Sequence, residues 1–244
     1  MALVHEFERS GNWLFKRRSW LPLLLVFAGL AVMYFGKSQR IAFNPKTEIL
    51  LLVISLFGEA VRIFAVGFAA KNTSGRNTVQ GQIADDLNVT GIYSLMRHPL
   101  YFGNFFMWLG PALFLRSWQF VMFFFLLYWL YYERIMFAEE QFLRRKFGEK
   151  YDTWSEKVRA VIPRLKGYVP PALPFAFRDV LKREYNSFVN IFLIFLILDI
   201  ARNYSLSGRL FITPMWIWIF VPAGIIWLIV RILYKKTKCL EDRQ

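Results

Sequence analysis

The stretch that decides the fold is Pro99 to Tyr132: PLYFGNFFMWLGPALFL over 99–115, then Arg116, then SWQFVMFFFLLYWLYY over 117–132. Neither run holds a charged residue, and each approaches the roughly 20 apolar residues with which a helix crosses a hydrocarbon layer. A single arginine between them leaves no room for an extramembrane segment. The sequence therefore predicts a tight helical hairpin whose tip barely leaves the bilayer. Its two open ends, at Arg97 and Arg134, then return to one membrane face.

Working outward, Ser19–Gly36 and Leu210–Val230 are two more uncharged runs. Two others are interrupted by charge: Ile49–Ala70 by Glu59 and Arg62, and Asn186–Tyr204 by Asp199 and Arg202. With 56% apolar and 19% aromatic residues, the expected fold class is all-α: a polytopic helical membrane protein of about six transmembrane helices. The run at Ser19 has a basic flank but no small-x-small cleavage site after it, so it reads as a retained anchor. Three parts follow along the chain: an N-terminal segment with the first span (1–46), a core (47–165), and a C-terminal extension with two spans (166–244).

Basic residues exceed acidic ones by 31 to 17. Their distribution argues against nucleic acid as the reason. If both termini are cytoplasmic, 22 Lys and Arg fall on inner segments and six, Arg202 among them, on outer loops, the bias of an inserted membrane protein. The same count gathers residues 71–98 and 138–185 on the cytoplasmic side. The polar, Gly-containing stretch 71–92 reads as a structured loop, and such loops carry function more often than packing. Cys239 stands alone in a basic tail, so no intrachain disulfide is possible; it reads as an ordinary thiol. No cluster of side chains has metal-ligand spacing.

Two strings carry chemistry. The first, GIYSLMRHPLYFG over 91–103, puts Pro99 in the first turn of a helix, where its missing N–H costs nothing. Arg97 and His98 then stand at the mouth of that helix, with Tyr93 and Tyr101 beside them. Gly103, one turn in, permits close approach of a ligand or a neighbouring helix. The second string begins at Arg134 and includes Glu139 and Glu140 on a helix that should run out of the membrane until Gly148 ends it. A short helix over Glu149–Val158 follows. On that first helix Tyr132 and Glu139 share a face, and Arg134 points about 140 degrees from Glu139. Read alone, the glutamates could equally be a solvated pair balanced by Arg144 and Lys146.

Together the strings resemble the paired signature of the isoprenylcysteine carboxyl methyltransferase and phospholipid methyltransferase superfamily, G-x-Y-x-x-x-R-H-P-x-Y-x-G followed by R-I-x-x-E-E-x-x-L-x-x-x-F-G-x-x-Y. The first block is carried by Gly91, Tyr93, Arg97, His98, Pro99, Tyr101 and Gly103. The second is carried by Arg134, Ile135, Glu139, Glu140, Leu143, Phe147, Gly148 and Tyr151. The chain departs from the pattern at Ile92, at Trp154 where many members have Tyr, and at Val158-Arg159-Ala160.

The resemblance implies an integral-membrane enzyme that uses S-adenosylmethionine. Tyr93, His98, Tyr101, Gly103, Glu139 and Glu140 would hold the cofactor, and Arg97 and Arg134 would act on the acceptor in catalysis. Because a guanidinium fork complements a carboxylate or a phosphate, the expected acceptor is a membrane lipid or lipidated substrate bearing an acidic group. Amine N-methylation, a sterol-reductase-like enzyme using NADPH and a non-catalytic lipid-binding protein are the alternatives.

Overall fold

A long uncharged run has its backbone bonds met only by coiling on itself when no water is at hand. The computed structural model is accordingly helical. It describes residues 2–35, 44–71, 73 and 82–236. Among these the helices are α1 (Leu3–Arg17), α2 (Leu23–Phe35), α3 (Pro45–Gly67), α4 (Pro99–Phe114), α5 (Trp118–Phe147), α6 (Glu149–Lys157), α7 (Phe177–Ser207) and α8 (Pro214–Lys236). Most of the 71–92 loop's first half and Cys239 lie outside the described residues.

Four helices, α3, α5, α7 and α8, are long and apolar enough to cross a membrane. The protein is an integral membrane protein. The expected first and third spans are shorter than the apolar runs that suggested them. Pro22 closes a turn over 18–22, so α2 begins only at Leu23 and has 13 residues. Helix α4 has 16 residues, bounded by Pro99 and by a turn in which Arg116 takes φ of +53. At 1.5 Å per residue these reach about 20 and 24 Å, short of the roughly 30 Å hydrocarbon thickness. Ser117 starts α5 by accepting the Phe120 N–H on its Oγ at 3.3 Å.

The chain divides into two compact units. One comprises residues 24–63, 103–124 and 177–244. In it α3 meets α4 through glycines: a Cβ on Gly103 would strike the Gly58 carbonyl and the Arg62 side chain. Pro111 cannot donate a helical hydrogen bond to the Met107 carbonyl. The buried Ser55 hydroxyl of α3 donates to that carbonyl instead, at 3.0 Å.

Of the charges that interrupt the apolar runs, Arg62, Asp199 and Arg202 are hydrogen-bonded inside this unit. Arg62 forks onto Glu184 at 2.8–3.0 Å and donates to Asn104 at 2.6 Å. Arg202, assigned to an outer loop by the charge count, is instead buried in α7 and bonded to Glu48 and Asp199. Trp216 donates its indole N–H to the same Glu48 at 2.8 Å, and Thr213 holds Asp199 through its N–H and hydroxyl. Hydrogen-bonded partners are the condition on which such burial is tolerated; Glu59 is the exception, buried with neither carboxylate oxygen hydrogen-bonded among the described residues and with the Arg62 Nε 4.0 Å away.

The other unit comprises residues 1–23, 64–102 and 125–176. Helix α1 lies against α5 where Gly11 fits over the Arg134 carbonyl and Ala138. Phe7 meets Phe137 edge-on at 5.7 Å. Helix α5 ends at Gly148, whose φ of +51 turns the chain directly into α6.

Candidate active site

Gly91, with φ of +60, starts the 3-10 turn Gly91–Ser94, and a Cβ there would press on Pro171. That turn delivers Tyr93 to the interior. Three residues on, Arg97 and His98 precede helix α4, so their N–H groups are free of it. They donate to the Arg159 and Ala160 carbonyls, each at 2.9 Å. Backbone pairing with the segment after α6 thereby fixes two neighbouring side chains at one helix mouth.

Both side chains converge on α5. The Arg97 Nε donates to Glu140 at 2.9 Å, its Nη2 pairs with the same oxygen at 2.8 Å, and its Nη1 donates to the Ser155 and Val158 carbonyls at 2.8 and 2.7 Å. Four of the five guanidinium N–H groups are therefore spent on the protein. His98 is buried, with Nε2 2.9 Å from Glu140 and Nδ1 3.6 Å from Glu139. Burial works to lower the His98 pKa, and hydrogen bonding to Glu139 and Glu140 outweighs it, so the imidazole stands above its ordinary value. Its ring stacks on Tyr101 at 5.8 Å, and Tyr101 packs against Tyr132 at 4.7 Å.

Beside this cluster opens a cleft, the concave setting in which small-ligand sites occur. Its walls are Tyr93 and Arg97–Tyr101, Glu139, Phe142 and Leu143 of α5, Tyr151 and Trp154 of α6, Phe15 of α1, and the loop residues Thr73, 82–84 and 86–88. The Trp154 Nε1 is buried and, among the described residues, has no hydrogen-bond partner. An indole N–H in that state costs stability unless a ligand accepts from it. Burial, then the nearby Glu140 charge, push the Tyr151 hydroxyl pKa upward. Asp86, exposed at the rim, is held below its usual pKa by a 3.0 Å hydrogen bond from Lys150.

The structure brings together Tyr93, His98, Tyr101, Glu139, Glu140 and Arg97, with Glu140 beneath the cleft as the clasp on Arg97 and His98. It does not bring Arg134 or Gly103 to the cleft wall. The Arg134 guanidinium lies 3.3 Å over the Phe7 ring on the α1 side of α5, as its 140-degree offset from Glu139 requires. Gly103 serves the α3–α4 contact. Sequence reasoning left out Phe15, Asp86, Leu87, Phe142 and Trp154 as wall residues. Of these only Trp154 had left a trace, as a departure from the motif.

Residues 51–150 match the family model described as phospholipid methyltransferase. That segment is similar to the phospholipid methyltransferase family. It contains both glutamates and the whole Arg97–Tyr101 corner. Among curated proteins the chain is similar to a probable protein-S-isoprenylcysteine O-methyltransferase of Oryza sativa subsp. japonica, 32% identical over 113 residues, covering 46% of this chain and 59% of the relative. The Schizosaccharomyces pombe protein-S-isoprenylcysteine O-methyltransferase is 38% identical over 81 residues, 32% of this chain and 34% of that protein. The human one is 28% identical over 151 residues, 61% and 50% of the two chains. The chain thus spans at most about three fifths of the length of these relatives. No solved structure matches it significantly.

Proposed function

We propose that this protein transfers a methyl group from S-adenosylmethionine to a membrane lipid or lipidated substrate at the cytoplasmic face. The observation that carries the reading is the unspent Trp154 N–H in a cleft walled by the family's His98, Tyr101 and Glu139. A zwitterionic nucleoside cofactor fits that donor set: it offers oxygen and nitrogen acceptors to the indole and an amine and ribose hydroxyls to a carboxylate. Tyr93, His98, Tyr101, Glu139, Tyr151 and Trp154 would hold it. When bound it supplies a methyl group already activated by its sulfonium, so alignment with the acceptor does much of the catalytic work.

The protein's own residues prepare that alignment. Glu140 locks Arg97 and His98 together, and His98 in turn props Tyr101 and faces Glu139. The orientation of the cleft wall therefore depends on one carboxylate. The cytoplasmic placement is supported by the basic residues on the segments that form this unit.

The relatives' names favour a carboxylate of an isoprenylcysteine type as the acceptor. Arg134 does not contribute to that reading from its place over Phe7. Arg97 acts as a positioning residue, with at most one N–H left for an acceptor. The decisive experiment incubates the purified protein with S-adenosylmethionine carrying a labelled methyl group, total membrane lipid and a farnesylcysteine analogue. Label in a lipid or in the analogue, lost in Glu139→Ala, supports the reading. No label in any fraction from active-condition wild type overturns it.

A further inference from the structure

Between α6 and α7 runs a strap, residues 158–176, that has no helix and no acidic residue: VRAVIPRLKGYVPPALPFA. It is tied to the site along its length. Besides accepting the Arg97 and His98 N–H groups, it donates the Arg164 N–H to the Leu95 carbonyl at 2.9 Å. Val169 accepts the Gly91 N–H at 2.9 Å and donates to Ser94 Oγ at 3.0 Å, and Ala172 donates to Thr90 Oγ1 at 3.1 Å. Every turn of the backbone from Thr90 to His98 is thus held from the strap side.

The strap's outer side is apolar where water would be expected. Ile162 is 67% exposed, Leu165 83% and Tyr168 54%, with Val169 and Leu173 beside them. These side chains fall outside the four long apolar helices, on a segment punctuated by prolines and by Gly167 at φ of +88. Along the same stretch of sequence lie Lys157, Arg159, Arg164 and Lys166, with no acidic residue between Glu156 and Asp179. Exposed apolar side chains interspersed with cations are the composition that seats in the headgroup layer of an anionic leaflet, with the apolar groups reaching the acyl boundary. A contiguous exposed apolar patch without that partner would be an association hazard.

We propose that residues 162–169 seat in the headgroup layer of an anionic bilayer leaflet, and that this lipid contact steadies the Gly91–His98 backbone from which the cleft wall is hung. The anchor is independent of the reaction the cleft performs. It places the cleft at the depth where a lipid-borne group lies.

The test places a single environment-sensitive dye at Leu165→Cys in a Cys239→Ser background, with the full-length protein in nanodiscs of phosphatidylglycerol or of phosphatidylcholine. The expected result is a blue-shifted dye, quenched by brominated acyl chains and shielded about threefold more from acrylamide in phosphatidylglycerol. A dye open to acrylamide and untouched by brominated lipid in both discs overturns the proposal. A dye shielded yet unquenched by brominated lipid overturns it too, in favour of a protein covering the strap. Leu165→Asp, at a side chain that touches little of the protein, should speed amide exchange over Gly91–His98 about tenfold in phosphatidylglycerol discs. Unchanged exchange removes the coupling to the site.

Discussion

Trp154 carries a donor that the protein leaves unused, and the consequence is measurable. Removing an unpaired N–H does not weaken the ligand-free fold, whereas a structural indole bond would be missed. Trp154→Phe should therefore keep its melting temperature in detergent while its affinity for S-adenosylhomocysteine falls about tenfold, or about 1.4 kcal/mol. Arg97 behaves in the opposite way. Its truncation to Ala leaves Glu140 with His98 as its one side-chain partner among those named and strands two carbonyls, so chemical unfolding should show a loss of about 2 kcal/mol even without ligand. His98 adds a pH dependence. Its folded pKa is raised above the unfolded value of 6.5, so its contribution to stability is complete below that pH and is lost as the pH rises through the folded pKa. Thermal melts should fall across that window for wild type, and His98→Gln should flatten the slope. The motif made His98 and Glu139 legible from sequence. Nothing in it marked Trp154 as a donor, because an unmet hydrogen bond is a property of surroundings and not of residue type.

At the scale of elements, the sequence announced what periodicity and punctuation control. Helix α5 runs through to Phe147 and stops at Gly148, and α6 follows over Glu149–Lys157, one residue short of the expected end. The strap was illegible because its partners are backbone groups some 70 residues away, and its prolines read only as an end to helix. Arg202 was misplaced for a related reason: a charge count treats an arginine near a helix end as solvated, and cannot see Glu48 across the bundle. Ser55 is a third case. Its hydroxyl replaces the bond that Pro111 cannot make, so Ser55→Ala should leave the Met107 carbonyl unmet and cost about 1–2 kcal/mol. Titrated unfolding in mixed micelles would measure it, and Ser55→Thr, which keeps the hydroxyl, should retain most of the stability.

For the whole molecule, apolar runs announced a membrane protein, and helix length set the limit on that reading. A run of uncharged residues is not yet a helix, and Pro22, Pro99 and the turn at Arg116 shorten two of the six expected spans. The family segment, residues 51–150, holds the corner Arg97–Tyr101 and both glutamates, while Tyr151 and Trp154 complete the cleft from just beyond it. The central claim is that this cleft holds the methyl donor. Isothermal titration of the purified protein with S-adenosylhomocysteine and, separately, with NADPH tests it most directly. The account predicts saturable binding of S-adenosylhomocysteine that Glu139→Ala abolishes, with no binding of NADPH; binding of NADPH alone would contradict it.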